Sequence, residues 1–188
     1  MLGPHDLPVV ELDAARLDGE LYRLADSWCP VDVLELPAVR ARAVLADRSS
    51  RLIAELGTAA WVWGAKPVAP VVQEFCVDIA ARARLGPGSL ATVREIVLDD
   101  DDLCDLDGVR VTSPLRTVVD LARFRAGFGG DEAALVAALA SIGSFGLDDC
   151  AAHMERRRNL PGKRRAIERL RLALIEERRE ATRLETEP

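Results

Sequence analysis

"GVRVTSPLRTVVDLARF", residues 108–124, decides how the chain is read. Asp107-Gly108 is a two-residue turn pair, the strongest short hairpin signal in the sequence, so the chain is predicted to turn tightly there and to run on as a short strand that stops at Ser113-Pro114. Ser113 then suits an N-cap, and Pro114 suits the first helical position, where a missing N–H costs nothing. Leu115, Val118, Val119 and Ala122 recur at helical spacing and give the helix one apolar face. Arg116 and Asp120 lie four apart on a neighbouring face. An exposed pair of that kind contributes a few tenths of a kcal/mol and would serve to orient the helix against a sheet.

Upstream, residues 1–16 contain Pro4 and Pro8, are weakly patterned and are expected to form a mobile arm or a short extended segment. Residues 16–32 read as a hairpin turning at Ala25-Asp26-Ser27. Pro37 opens a helix whose apolar face carries Val39, Ala43 and Val44. Thr58 is the expected cap of a short apolar helix, Ala59–Trp63, closed by Gly64. Trp61 and Trp63, two apart, cannot share one helix face, so one is expected inside and the other against a neighbouring element or a partner. Residues 71–80 and 92–100 read as strands. Downstream, helices are expected over 114–126, 131–142, 147–158 and 162–184. A hairpin and helices, then strands, then helices define an α+β fold, with a small mixed or antiparallel sheet, packed helices and a helical C-terminal half. The expected organisation is an N-terminal arm, hairpin and helix over 1–48, an α+β core over 49–126, and a helical region over 127–188 belonging to the same fold.

About half the residues are hydrophobic, which suffices for a core, while only 4% are aromatic, too few for a base-stacking platform. A net charge of −6 argues against a general polyanion binder. The four cysteines, at 29, 76, 104 and 150, are too widely spaced for a zinc knuckle and suit a reducing compartment. No basic, apolar leader opens the sequence, and no run approaches the roughly 18 apolar residues of a membrane span. A cytoplasmic protein is expected, with no cofactor and no metal.

The enzyme readings fail on chemistry. Gly88-Ser89 followed by Asp99 and Asp101 imitates a nucleotidyltransferase metal site, but Asp100 stands where strand alternation needs an apolar residue. The same acidic run fails as a calcium loop, because Leu103 occupies the first ligand position. The two lysines, Lys66 and Lys163, follow Gly64 and Pro161 at the spacing where a nuclease needs an acid. Cys150 and His153 could meet on one helix face, but no third group orients them.

"TAAWVWGA" (58–65), a strand near Val77 and "LDGVRVTSPLRTVVDLARF" (106–124) together resemble the AbiEi family of antitoxins of type IV toxin–antitoxin systems. The late "RRRNLPGKRRAIERLRLAL" (156–174) looks like actinobacterial members, and the likeness covers roughly 17–175. It implies a non-catalytic protein that counters a nucleotidyltransferase toxin encoded next to it. Members often add an N-terminal winged helix-turn-helix that represses their own promoter. Here that region reads as truncated: the hairpin at 16–32 stands as a remnant of the wing, and no recognition helix precedes it.

Residues 155–171 carry eight Lys/Arg and two Glu, a net +6 within an acidic chain. Lys163, Arg164 and Arg165 open the final helix, where the macrodipole disfavours cations, so helix stability does not account for them. Arg156, Arg157, Arg158, Lys163, Arg164, Arg165 and Arg169 are therefore the candidate partner-binding residues. Trp61, Trp63, Ser113, Arg116 and Asp120 are expected to organise the domain. Two partners follow: the cognate toxin, or promoter DNA if the chain is instead a transcriptional regulator using the hairpin and the basic helix.

Overall fold

The computed structural model describes the chain except residues 47, 82, 84–89, 158–159 and 185–188, and the side chains of 176–184. It divides into two compact units, Met1–Val111 and Thr112–Pro188. The architecture is α+β.

The first unit opens with helix α1 (Val9–Leu17), where the sequence suggests a mobile arm or a short extended segment. Pro8 stands at its N-cap, where proline's fixed φ starts a helix rather than breaking one. Leu12 and Ala15, three apart on one face, then pack with Leu21 and Trp28 of the hairpin β1 (Leu21–Leu24) and β2 (Ser27–Pro30). The hairpin turns at Ala25-Asp26, as the sequence predicts. Helix α2 (Pro37–Leu45) begins at Pro37 and buries Val39, Ala41, Ala43 and Val44.

Strands β3 (Ile53–Ala54), β4 (Gln73–Asp78), β5 (Ala91–Ile96), β6 (Leu103–Leu106) and β7 (Val109–Thr112) form one mixed sheet in the order β5-β4-β3-β7-β6. β3 runs antiparallel to β4 and parallel to β7, and β4 is parallel to β5. The β6–β7 turn has the backbone its sequence requires: Asp107 and Gly108 both take positive φ, 54° and 83°. Phe75, Val77 and Val111 of the sheet pack with Val44, Leu52, Trp61 and Val62 in the core of this unit.

Helix α3 (Leu56–Val62) starts earlier than its sequence suggests. Thr58 is inside the helix, not its cap, and its hydroxyl accepts the Glu74 backbone N–H at 2.8 Å. The capping group comes from the neighbouring strand: the Glu74 carboxylate accepts Gly57 N–H at 2.8 Å. A cap supplied across 17 residues leaves no local signal. Gly64 closes the helix at φ +86°, as expected.

The second unit is helical: α4 (Pro114–Phe124), α5 (Gly130–Gly143), α6 (Leu147–Glu155) and α7 (Lys163–Leu184). Ser144 takes the left-handed conformation that ends α5, and Asp149 turns back to accept Gly146 N–H at 2.8 Å at the start of α6. Among the described residues no single helix is long and apolar enough to cross a membrane.

Candidate functional site

Helix α4 carries the polar network of the second unit. Ser113 Oγ accepts Arg116 N–H at 3.3 Å, the predicted cap, with Pro114 in the first turn. Thr117 shares a 2.7 Å hydroxyl–hydroxyl hydrogen bond with Thr112 and also reaches the Ser113 carbonyl at 2.9 Å. Arg116 Nε donates to Asp120 Oδ2 at 2.9 Å, so the pair read from the sequence forms. It is not a surface pair: the side chains are 3% and 1% exposed. Arg123, also buried, donates to the other oxygen, Asp120 Oδ1, at 3.0 Å. One carboxylate thus holds two guanidinium groups away from bulk water. Each charge there depends on the others, because an unpaired buried ion is strongly destabilising. Arg123 was not singled out from the sequence, although its spacing of three from Asp120 is the available signal.

The C-terminal end of α4 explains two of the basic residues. A helix leaves its last carbonyls unsatisfied and carries partial negative charge there. Arg169 Nη1 donates to the Ala122 carbonyl at 2.9 Å and the Arg125 carbonyl at 2.7 Å. Arg165 Nη2 donates to the Arg123 carbonyl at 2.8 Å. Arg123 Nε in turn donates to the Pro161 carbonyl, at 3.0 Å, in the turn before α7. Arg165 sits unfavourably at the start of its own helix but favourably at the end of α4. Its position is a matter of packing between helices.

The other basic residues are differently placed. Arg164 has a side chain 96% exposed, with Glu168 at 3.7 Å. Lys163 lies 3.8 Å from Glu155. Arg156 is exposed and meets His153 Nδ1 at 2.8 Å, and Arg157 is half-buried. Arg158 lies outside the described residues. The seven candidates therefore do not form one surface set. Arg165 and Arg169 are bound to α4, while Arg156, Arg157, Lys163 and Arg164 flank the turn between α6 and α7.

In the first unit Trp61 is buried, with the Arg40 guanidinium 5.2 Å from its ring centroid and donating to the Trp61 carbonyl at 2.7 Å. Trp63, at the C-cap, is partly buried against the same core. Two further polar clusters carry no local sequence signal. Arg48 donates to Gln73 Oε1 at 2.5 Å and Asp26 Oδ2 at 3.1 Å, tying the hairpin turn to β4. Glu55, 1% exposed, receives both Nε and Nη2 of Arg94.

Among the described residues, the acidic run and the Cys150–His153 pair are built for packing and capping. Asp99 is not on a strand. It caps a short 3-10 turn, Asp100–Asp102, and its N–H donates to Asp102 at 2.9 Å. Gly88-Ser89 lies outside the described residues. The Cys150 thiol is buried, and burial together with the charge of Asp149 pushes its pKa up to about 12, away from a nucleophilic thiolate. Among the described residues no three His, Cys, Asp or Glu side chains are grouped to hold a metal ion. The hairpin also presents no cationic edge. Its single arginine, Arg23, stacks on Trp28 at 3.8 Å and donates to the Ala25 carbonyl, so the DNA-binding alternative gains no support from it.

Fold and network together describe an α+β protein with a buried, Arg-clamped helix following a sheet hairpin. The model of the AbiEi antitoxin C-terminal domain matches residues 52–174. The chain belongs to the AbiEi antitoxin family. The crystal structure of the RV2827C protein from Mycobacterium tuberculosis is similar in fold, with a TM-score of 0.50 at 20% identity. That similarity covers 89% of this chain and 64% of the other. No curated protein matches the sequence with significance.

Proposed function

We propose that this antitoxin counters a nucleotidyltransferase-type toxin encoded beside it, as in type IV systems, in the cytoplasm and without catalysing a reaction itself. The observation that carries the reading is the antitoxin-domain match over 52–174, which contains both the "TAAWVWGA" and "VTSPLRTVVDLAR" stretches. The contact surface is the turn between α6 and α7, where Arg156, Arg157, Lys163 and Arg164 gather positive charge. Arg165 and Arg169 hold α7 to the end of α4 beside it. A cationic surface of this kind selects an acidic partner face and accelerates encounter with it.

The test is growth. The neighbouring reading frame is induced alone, then together with this chain. Arrest followed by rescue is the expected result. Arrest that this chain leaves unchanged refutes the proposal.

A further inference from the structure

The surface of the first 36 residues has a composition of its own. Nine large hydrophobic side chains there are exposed, out of nineteen among the described residues, although the segment is under a fifth of the chain. The same 36 residues hold eight carboxylates and two arginines. Exposed apolar residues scattered singly mean little, but gathered ones mark contact sites.

Helix α1 orders part of this surface. Leu12 and Ala15 face the hairpin. Val10, Ala14 and Leu17 recur at i, i+4 and i+7 on the opposite side, with Val10 80% and Leu17 78% exposed. The helix is therefore apolar on both faces, the pattern of an element covered on both sides. Val31 N–H donates to the Glu20 carbonyl at 3.1 Å, and Tyr22 Oη donates to the Val33 carbonyl at 3.2 Å. The exposed Val31, Val33 and Leu34 thus follow the hairpin on the side of Tyr22, which packs with the other core cluster rather than with α1.

Charge identifies the occupant. Glu11 and Asp18 fall on one flank of the stripe, and Glu20 follows the helix; all three are exposed. A second α1 packed antiparallel would bring its acidic flank against this one and be repelled. A nucleic acid would be repelled likewise. We propose that the outward face of α1 forms a docking surface for a basic amphipathic helix of a partner protein, with its apolar stripe on Val10, Ala14 and Leu17 and its Lys/Arg against Glu11, Asp18 and Glu20.

The probes are two labelled helical peptides of roughly 18 residues with the same leucine stripe, flanked in one by lysine and in the other by glutamate. Anisotropy titrations are run with the whole chain at about 0.05 M and about 0.5 M salt, bracketing the range over which exposed charges are screened. The lysine peptide is expected to bind at least about tenfold tighter at low salt, a gap that narrows at high salt. The E11K/D18K chain is expected to reverse the preference, and V10S/L17S to weaken both peptides. All four positions are exposed, so circular dichroism should show the fold unchanged. Equal binding of the two peptides, no binding, or a preference untouched by E11K/D18K overturns the proposal. So does sedimentation showing a dimer of the wild-type chain that V10S/L17S dissolves, because the occupant would then be a second copy.

Discussion

Arginine does opposite work at two places in the second unit. On α4, Arg116 and Arg123 are buried on a single carboxylate. Around the turn between α6 and α7, Arg164 stands in water, close to one partly exposed glutamate. Both regions look alike in sequence, as arginines a few residues from acids. The difference lies in what surrounds them. A buried pair is strongly coupled, whereas an exposed pair is weakened by solvent and by side-chain entropy. Arg165 and Arg169 fall between these cases, charged side chains that satisfy backbone carbonyls of another helix.

The largest effect should come from breaking the buried end. D120A leaves two guanidinium groups buried without their carboxylate and is expected to cost about 3–5 kcal/mol in urea unfolding. A loss below about 1 kcal/mol would show that water reaches the network. R169A removes donors from the Ala122 and Arg125 carbonyls and should cost about 1.5–3 kcal/mol. R164A in the same titration should leave the midpoint where it is, and equal losses for the two would erase the contrast. S113A, which deletes the α4 cap, is expected to cost about 1 kcal/mol.

A smaller effect concerns pH. The Cys150 thiol is raised to about 12 in the folded chain, so folding favours its protonated form. That contribution is complete below the ordinary thiol range near pH 9 and is lost as pH climbs towards about 12. Thermal melts of C150A and wild type should therefore converge as pH rises across that window. A constant gap would mean that the thiol is not the titrating group.

How much of this was written locally in the sequence follows the same division. The Asp107-Gly108 turn, the Ser113-Pro114 start, the Pro37 start and the hairpin at Ala25-Asp26 are set by residues adjacent in the chain, and they read correctly. Helix α1 was missed because Pro8 and two valines look extended until Leu12 and Ala15 find the hairpin. The start of α3 was missed because Glu74, on another strand, supplies its cap. The Arg116–Asp120 pair was legible as a spacing, but its burial was not. The inward turn of Arg169 is set by a contact across 47 residues, and no local pattern encodes it.

The account stands most directly on one measurement. A variant with Arg156, Arg157, Lys163 and Arg164 changed to glutamate is unfolded in urea beside wild type. Both are then co-expressed with the neighbouring reading frame. The account predicts a folded variant that no longer rescues growth, while wild type does. A folded variant that rescues as well as wild type would contradict it, and the exposed arginines would then have no part in countering the toxin.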